Sequence, residues 1–151
     1  MRAVMIAPLV GFWLMLPGPA GAASVAATDG EAQGVRLEVQ DLKVANGIAT
    51  LRFTVVNDSE KELNYSTMID PSGGEGGTVD GVYLIDAANK KKYLVVKDSD
   101  KHCLCSRHLE HFSAKGSVNL WAKFPAPPDS VQKIGVAVPH FIPMDDVPIS
   151  R

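Results

Sequence analysis

The chain has 151 residues and a formal net charge of −2, with 15 Lys and Arg interspersed among 17 Asp and Glu. That mixture offers no basic stripe, so nucleic acid and an anionic membrane surface are excluded as expected partners. Only two cysteines are present, Cys103 and Cys105, which leaves no second pair to complete a tetrahedral thiolate site.

Met1 and Arg2 make a short positive start, followed by a nearly unbroken apolar run from Ala3 to Leu16. Pro17, Gly18 and Pro19 break any helix, and Ala20-Gly21-Ala22 supplies the small-x-small exit of a cleavable secretory signal. The run of 14 residues would reach roughly 21 Å as a helix, short of the ~30 Å hydrocarbon core. The reading is therefore a signal peptide over 1–22, cut after Ala22, with no membrane span afterwards. The expected destination is secreted, periplasmic or cell envelope. Removing Arg2 leaves 14 Lys and Arg against 17 Asp and Glu, a net charge of about −3.

Residues 23–34 are rich in Ala, Gly and small polar types and read as a flexible lead-in. Residues 35–151 suffice for one domain with one core, and not for two. Within them no long amphipathic helical period occurs. Short period-two segments, punctuated by Gly, Pro, Asn and Asp, recur instead.

Val35, Leu37 and Val39 alternate with Arg36, Glu38 and Gln40, and the strand runs on through Leu42 and Val44. Asn46-Gly47 signals a tight turn. Leu51, Phe53 and Val55 then share a face opposite Arg52 and Thr54, and Asn57 to Glu62 is a polar corner. Leu63, Tyr65 and Thr67 suggest a weak third strand. Asp70 to Gly77 is too rich in glycine for regular structure and reads as a mobile loop.

Gly81 to Asp86 and Tyr93 to Lys97 read as a hairpin with Asn89 at its tip and Lys90, Lys91 and Lys92 as solvated turn residues. In the strand that Gly116 opens, Val118, Leu120, Ala122 and Phe124 share a face opposite Asn119, Trp121 and Lys123. Val131 to Val138 is the last clear strand. The tail to Arg151 contains Pro143 and Pro148, so it can line an edge but cannot enter a sheet interior. The expected fold is all-β: an immunoglobulin-like β-sandwich of about seven strands, with a closed barrel as the alternative.

Three sequence marks carry a family resemblance. One strand ends at Val55-Asn57, a Leu84-Asp86 strand opens a hairpin, and a strand opened by Gly116 ends at Phe124-Pro127. Over Val35 to Val138 the chain resembles the secreted immunoglobulin-like bacterial domains grouped with the mycobacterial antigen MPT63. The resemblance implies an exported β-sandwich without an established activity. The cysteine pair is not part of it, and fold likeness alone supplies no function.

The densest chemistry lies in His102-Cys103-Leu104-Cys105-Ser106-Arg107-His108-Leu109-Glu110-His111. His102, Cys103, Cys105, His108 and His111 are candidate metal ligands, since zinc and copper favour sulfur and nitrogen. Cys-x-Cys is tighter than the usual zinc knuckle. The reading preferred over metal is a local disulfide between Cys103 and Cys105, worth only about 1.6 kcal/mol in the loop-entropy picture. Such a bond rigidifies a loop and leaves a redox role open; free or intermolecular thiols are the third possibility.

Ser106, His108 and Asp100 are close in sequence, but no Gly-x-Ser-x-Gly elbow is present, so no catalytic residue is assigned. Asp98/Asp100 and Asp145/Asp146 read as solvated loop carboxylates, because the calcium-loop template fails after Asp100. Asn57-Asp58-Ser59 and Asn64-Tyr65-Ser66 match the glycosylation triplet.

Trp121 either faces outward as a contact residue or lies beneath Phe141 and Ile142 of the tail. The resulting expectation is an exported, non-enzymatic module without a cofactor that binds a protein or cell-envelope component. The alternative is a metal-handling or redox protein built on the cysteine loop.

Overall fold

In the computed structural model, alternation decides which side chains meet, and a bulge corrects it where the sequence would fail. The structure describes residues 23–64 and 77–151. The expected signal peptide, Tyr65, Thr67 and all of the glycine-rich loop except Gly77 lie outside those residues.

Strand β2 (Val35–Ala45) buries Val35, Leu37 and Val39, and strict alternation would next turn Asp41 inward. Its pairing with β3 (Ile48–Asn57) shifts register between Val39 and Asp41, so Leu42 enters the core instead. One extra residue resets the face, which is what a β-bulge does. Asn46 and Gly47 join the two strands with φ of +51° and +76°, the pair of left-handed residues that a type I′ turn requires.

Around these two strands the sequence folds into two antiparallel sheets. The first has the order β1 (Ala26–Asp29), β2, β3 and β8 (Gly116–Pro125). The second has the order β10 (Met144–Pro148), β9 (Lys133–Ala137), β5 (Tyr83–Asp86) and β6 (Lys91–Leu94). A two-stranded ribbon pairs β4 (Leu63–Asn64) with β7 (His111–Phe112). Phe53, Phe124, Leu37, Leu42, Leu51 and Leu84 are the largest of the fully buried side chains. Among the described residues no helix is long and apolar enough to cross a membrane.

Two expectations change. Ala26–Asp29, within the expected loose lead-in, is a strand: Ala26 pairs with Val39 and Asp29 with Arg36. Its Ala and Thr side chains carry no apolar alternation, and main-chain hydrogen bonds to β2 hold it in place. The strand count is also higher than about seven, because β1, β10 and the short ribbon add to the framework.

The prolines act as expected at the tail: β10 pairs only with β9, at the sheet edge. Beyond it the chain crosses to the first sheet, where Val44 N donates to Ser150 O at 2.8 Å and Ser150 N to Leu42 O at 2.9 Å. On the opposite flank Val96 N donates to Lys123 O at 2.8 Å, which ties the chain leaving β6 to β8. Both seams between the sheets are thus bridged by main chain.

The β5–β6 hairpin turns on Asp86, which is 3% exposed. Its carboxylate accepts hydrogen bonds from the Asn89 side chain at 2.7 Å and the Asn89 amide at 3.1 Å. These bonds hold its pKa below the ordinary aspartate value. Because the folded pKa is the lower one, the turn's contribution is present above the unfolded value near 3.8 and disappears as pH falls through the folded one. Urea unfolding of wild type and Asp86→Asn should therefore show a stability gap at pH 6 that shrinks on acidification to pH 2.5. An equal gap at both pH values would contradict this account.

Candidate functional site

The outward faces of β2, β3 and β8 form a ruled grid, because the register places their residues in rows. One row runs Asp41–Arg52–Trp121, and a second runs Glu38–Thr54–Asn119. A third runs Lys43–Thr50–Lys123. Four large hydrophobic residues are exposed among the described ones, and Trp121, at 39%, is the aromatic one.

Trp121 faces outward, which decides between the two sequence readings. Phe141 is 6% exposed and bridges Gly30 at the β1 flank, and Ile142 is 65% exposed. The tail therefore does not cover the indole. The backbone of Trp121 is tied to Ser106: Ser106 N donates to Trp121 O at 2.9 Å, and Trp121 N donates to the side-chain Oγ of Ser106 at 2.9 Å.

The neighbours of Trp121 are also held. Gln40 Nε2 donates to Thr54 Oγ1 at 3.3 Å, and that hydroxyl donates to Asn119 Oδ1 at 2.7 Å. The chain of bonds commits the oxygen of Asn119 to the protein and leaves its NH2 group to solvent. Arg52 Nη1 donates to Asp41 Oδ2 at 3.2 Å, and Lys123 Nζ lies 6.0 Å from the Trp121 ring centroid. Together Gln40, Arg52, Phe53, Thr54, Asn119, Leu120 and Trp121 line a shallow depression of about 600 Å³. At the other end of β2, Arg36 bonds Glu38 at 2.9 Å and also pairs with Asp58. The Glu38 hydrogen bond, with help from Asp58, raises the guanidinium pKa further above its already high value.

The cysteine loop lies against the free side of β8. Cys103 and Cys105 are joined in a disulfide with Cα atoms 5.3 Å apart, at 5% and 3% exposure. Cys105 bridges Ala122, Cys103 bridges Lys97, and Lys123 N donates to Leu104 O at 2.9 Å.

The histidines expected near the cysteines go elsewhere. His102 sits 3.6 Å from Asp98, His111 sits 3.6 Å from Glu62, and His108 is exposed. Among the described residues, one group of His, Cys, Asp or Glu brings three ligand atoms within 4.8 Å of one another: Asp98, Asp100 and His102. Within it Asp98 Oδ1 accepts the amides of Asp100 and His102, both at 2.9 Å, so this carboxylate caps a loop.

The remaining sequence candidates separate. Ser106 Oγ is engaged by the Trp121 amide. Asp145 and Asp146 share a hollow of about 780 Å³ with Asp86, Gln132 and Lys133. Lys91 and Lys92, expected as turn residues, lie within β6, their Nζ atoms 4.8 Å from the Tyr93 ring and 3.6 Å from the Tyr83 ring.

Asn57 is fully buried, and its Nδ2 donates to Lys61 O at 2.8 Å and Ser113 O at 3.1 Å. Its glycosylation triplet is therefore closed to a glycosyltransferase in the folded chain. Asn64 lies in β4, and the other two residues of its triplet fall outside the described residues.

No family model, curated protein or solved structure matches the chain.

Proposed function

We propose that this chain is an exported, non-enzymatic, immunoglobulin-like binding module whose contact surface is the outer face around Trp121. The leader over 1–22 delivers it to the extracytoplasmic side, where it engages a protein or cell-envelope component. Support for the immunoglobulin-like reading comes from the strand order: in the sheets β1-β2-β3-β8 and β10-β9-β5-β6, the β3–β8 and β5–β9 pairings fit the crossed connections of a Greek-key sandwich.

The single observation that carries the binding reading is the exposed indole of Trp121 amid side chains already fixed by hydrogen bonds. An aromatic on a rigid sheet gives contact area with little conformational entropy to lose. The rival, a metal-handling or redox protein, is less well supported: the two sulfurs are bonded to each other and buried, so neither is presented to a metal or a partner thiol.

Trp121→Ala should lose most of the partner recovered from native cell envelope in a pull-down. Its far-UV circular dichroism and melting temperature should stay close to wild type, since the indole lies on the outer face. Undiminished recovery by the folded variant would remove this face as the contact surface.

A further inference from the structure

The outer face around Trp121 is charged unevenly, and that asymmetry selects a ligand. The rows that hold and adjoin Trp121 carry Lys43, Arg52 and Lys123 against two carboxylates, and both of these are already engaged: Asp41 by Arg52 at 3.2 Å and Glu38 by Arg36 at 2.9 Å. Lys43 and Lys123 have no carboxylate partner among the described residues. They flank Thr50 on adjacent strands, so their Cα atoms stand roughly 10 Å apart at ordinary strand spacing. Two unneutralised lysines therefore share the row next to Trp121, with the Lys123 ammonium 6.0 Å from the indole centroid, and Asn119, with its uncommitted NH2, lies in the row on the other side.

We propose that this face binds an acidic polysaccharide, a polymer of carboxylate-bearing sugar rings. This rests on the binding-module reading above and names its ligand class.

The chemistry assigns a role to each group. The C–H bonds on one face of a pyranose ring are weakly positive and lie against the negative π-face of Trp121. Asn119 Nδ2 donates to a ring hydroxyl, and Lys43 and Lys123 meet carboxylates along the polymer. The depression of about 600 Å³ is shallow and unenclosed, so it suits a chain laid across the surface better than a small molecule that needs to be enveloped. An acidic peptide would satisfy the lysines but offers no ring to lie across the indole. A neutral glycan would use the indole and leave the lysines idle.

The test uses the full chain expressed with its own N-terminal segment and three probes: polygalacturonate, dextran and poly-L-glutamate. Affinity electrophoresis and titration calorimetry should show binding to polygalacturonate that weakens as salt screens the ionic part. The dissociation constant should rise about ten-fold in Trp121→Ala. It should rise about three-fold or more in the Lys43→Gln/Lys123→Gln double variant, both variants keeping wild-type circular dichroism. Dextran and poly-L-glutamate should bind at least ten-fold more weakly than polygalacturonate.

Equal affinity for poly-L-glutamate would reduce the site to charge alone and overturn the sugar assignment. Equal affinity for dextran, unaltered in the lysine variant, would overturn the acidic part. Binding to none of the three would overturn the proposal outright. A Trp121-dependent envelope protein partner would then leave the parent reading standing by itself.

Discussion

Gly77→Ala is expected to destabilise the domain by about 3 kcal/mol, adding the left-handed backbone cost, a steric clash and one lost hydrogen bond. Gly77 has a φ of +77°, and a Cβ there would sit 2.1 Å from Leu109 O and 2.7 Å from Leu109 N. Both are backbone atoms, so no side-chain end can swing aside. The two segments must part, and the bond from Leu109 N to Gly77 O at 3.0 Å goes with them.

Gly47 supplies the control. It has nearly the same φ, +76°, but a methyl group on its Cα would meet nothing within 4 Å. Gly47→Ala should cost only the backbone part, about 1–2 kcal/mol. Equal midpoint shifts for the two variants in urea would refute the steric argument.

Asn57→Ala should cost about 3 kcal/mol, because several buried polar groups lose their partner together. Asn57 is 0% exposed. Its Nδ2 reaches Lys61 O at 2.8 Å, Ser113 O at 3.1 Å and Phe112 O at 3.5 Å. Its Oδ1 accepts from Ser59 N at 3.1 Å and Ser59 Oγ at 2.6 Å. One side chain thus pins the end of β3, the polar corner after it and the turn between β7 and β8.

Asn57→Asp has the sharper signature. At neutral pH a carboxylate would face the same carbonyl oxygens, so the variant should be less stable than Asn57→Ala. Burial and those carbonyls favour the protonated acid, which raises the folded pKa above the unfolded one. Its deficit against wild type should then diminish as pH falls from 7 to 4. A deficit that is flat over that range would mean the carbonyls are not what the amide serves.

The sequence makes some of this architecture legible. Alternation at Val35, Leu37 and Val39, at Leu51, Phe53 and Val55, and at Leu120, Ala122 and Phe124 names the core directly, because a strand has only two faces. Asn46-Gly47 places a turn, since few residues accept two left-handed conformations in a row.

Other features depend on groups far apart in sequence. The shift at Gln40 and Asp41 is invisible until β3 supplies a register. β1 lacks apolar alternation and is recruited by the unpaired edge of β2. Asn57 sits in a segment that reads as polar surface, and only the 112–113 carbonyls, some 55 residues away, reveal it as interior.

The candidate site is split in the same way. Period two puts Trp121 opposite Leu120 and Phe124, but whether the tail covers it is a tertiary question. The pairing of Lys43 with Lys123 across Thr50 needs two strand registers. The cysteine loop is readable as a locus of chemistry, with a local disulfide as its favoured state, whereas the dispersal of its histidines is set by the fold.

The way the cysteine segment lies along β8 bears on self-association. A naked sheet border is a template on which another chain can add a strand, and repeated addition builds fibrils. Here Ser106 N and Lys123 N engage carbonyls across that border, and a short covalent ring keeps the covering segment in shape. Growth from this flank would have to peel the ring away first, so the bond that does little for global stability serves as a guard against stacking.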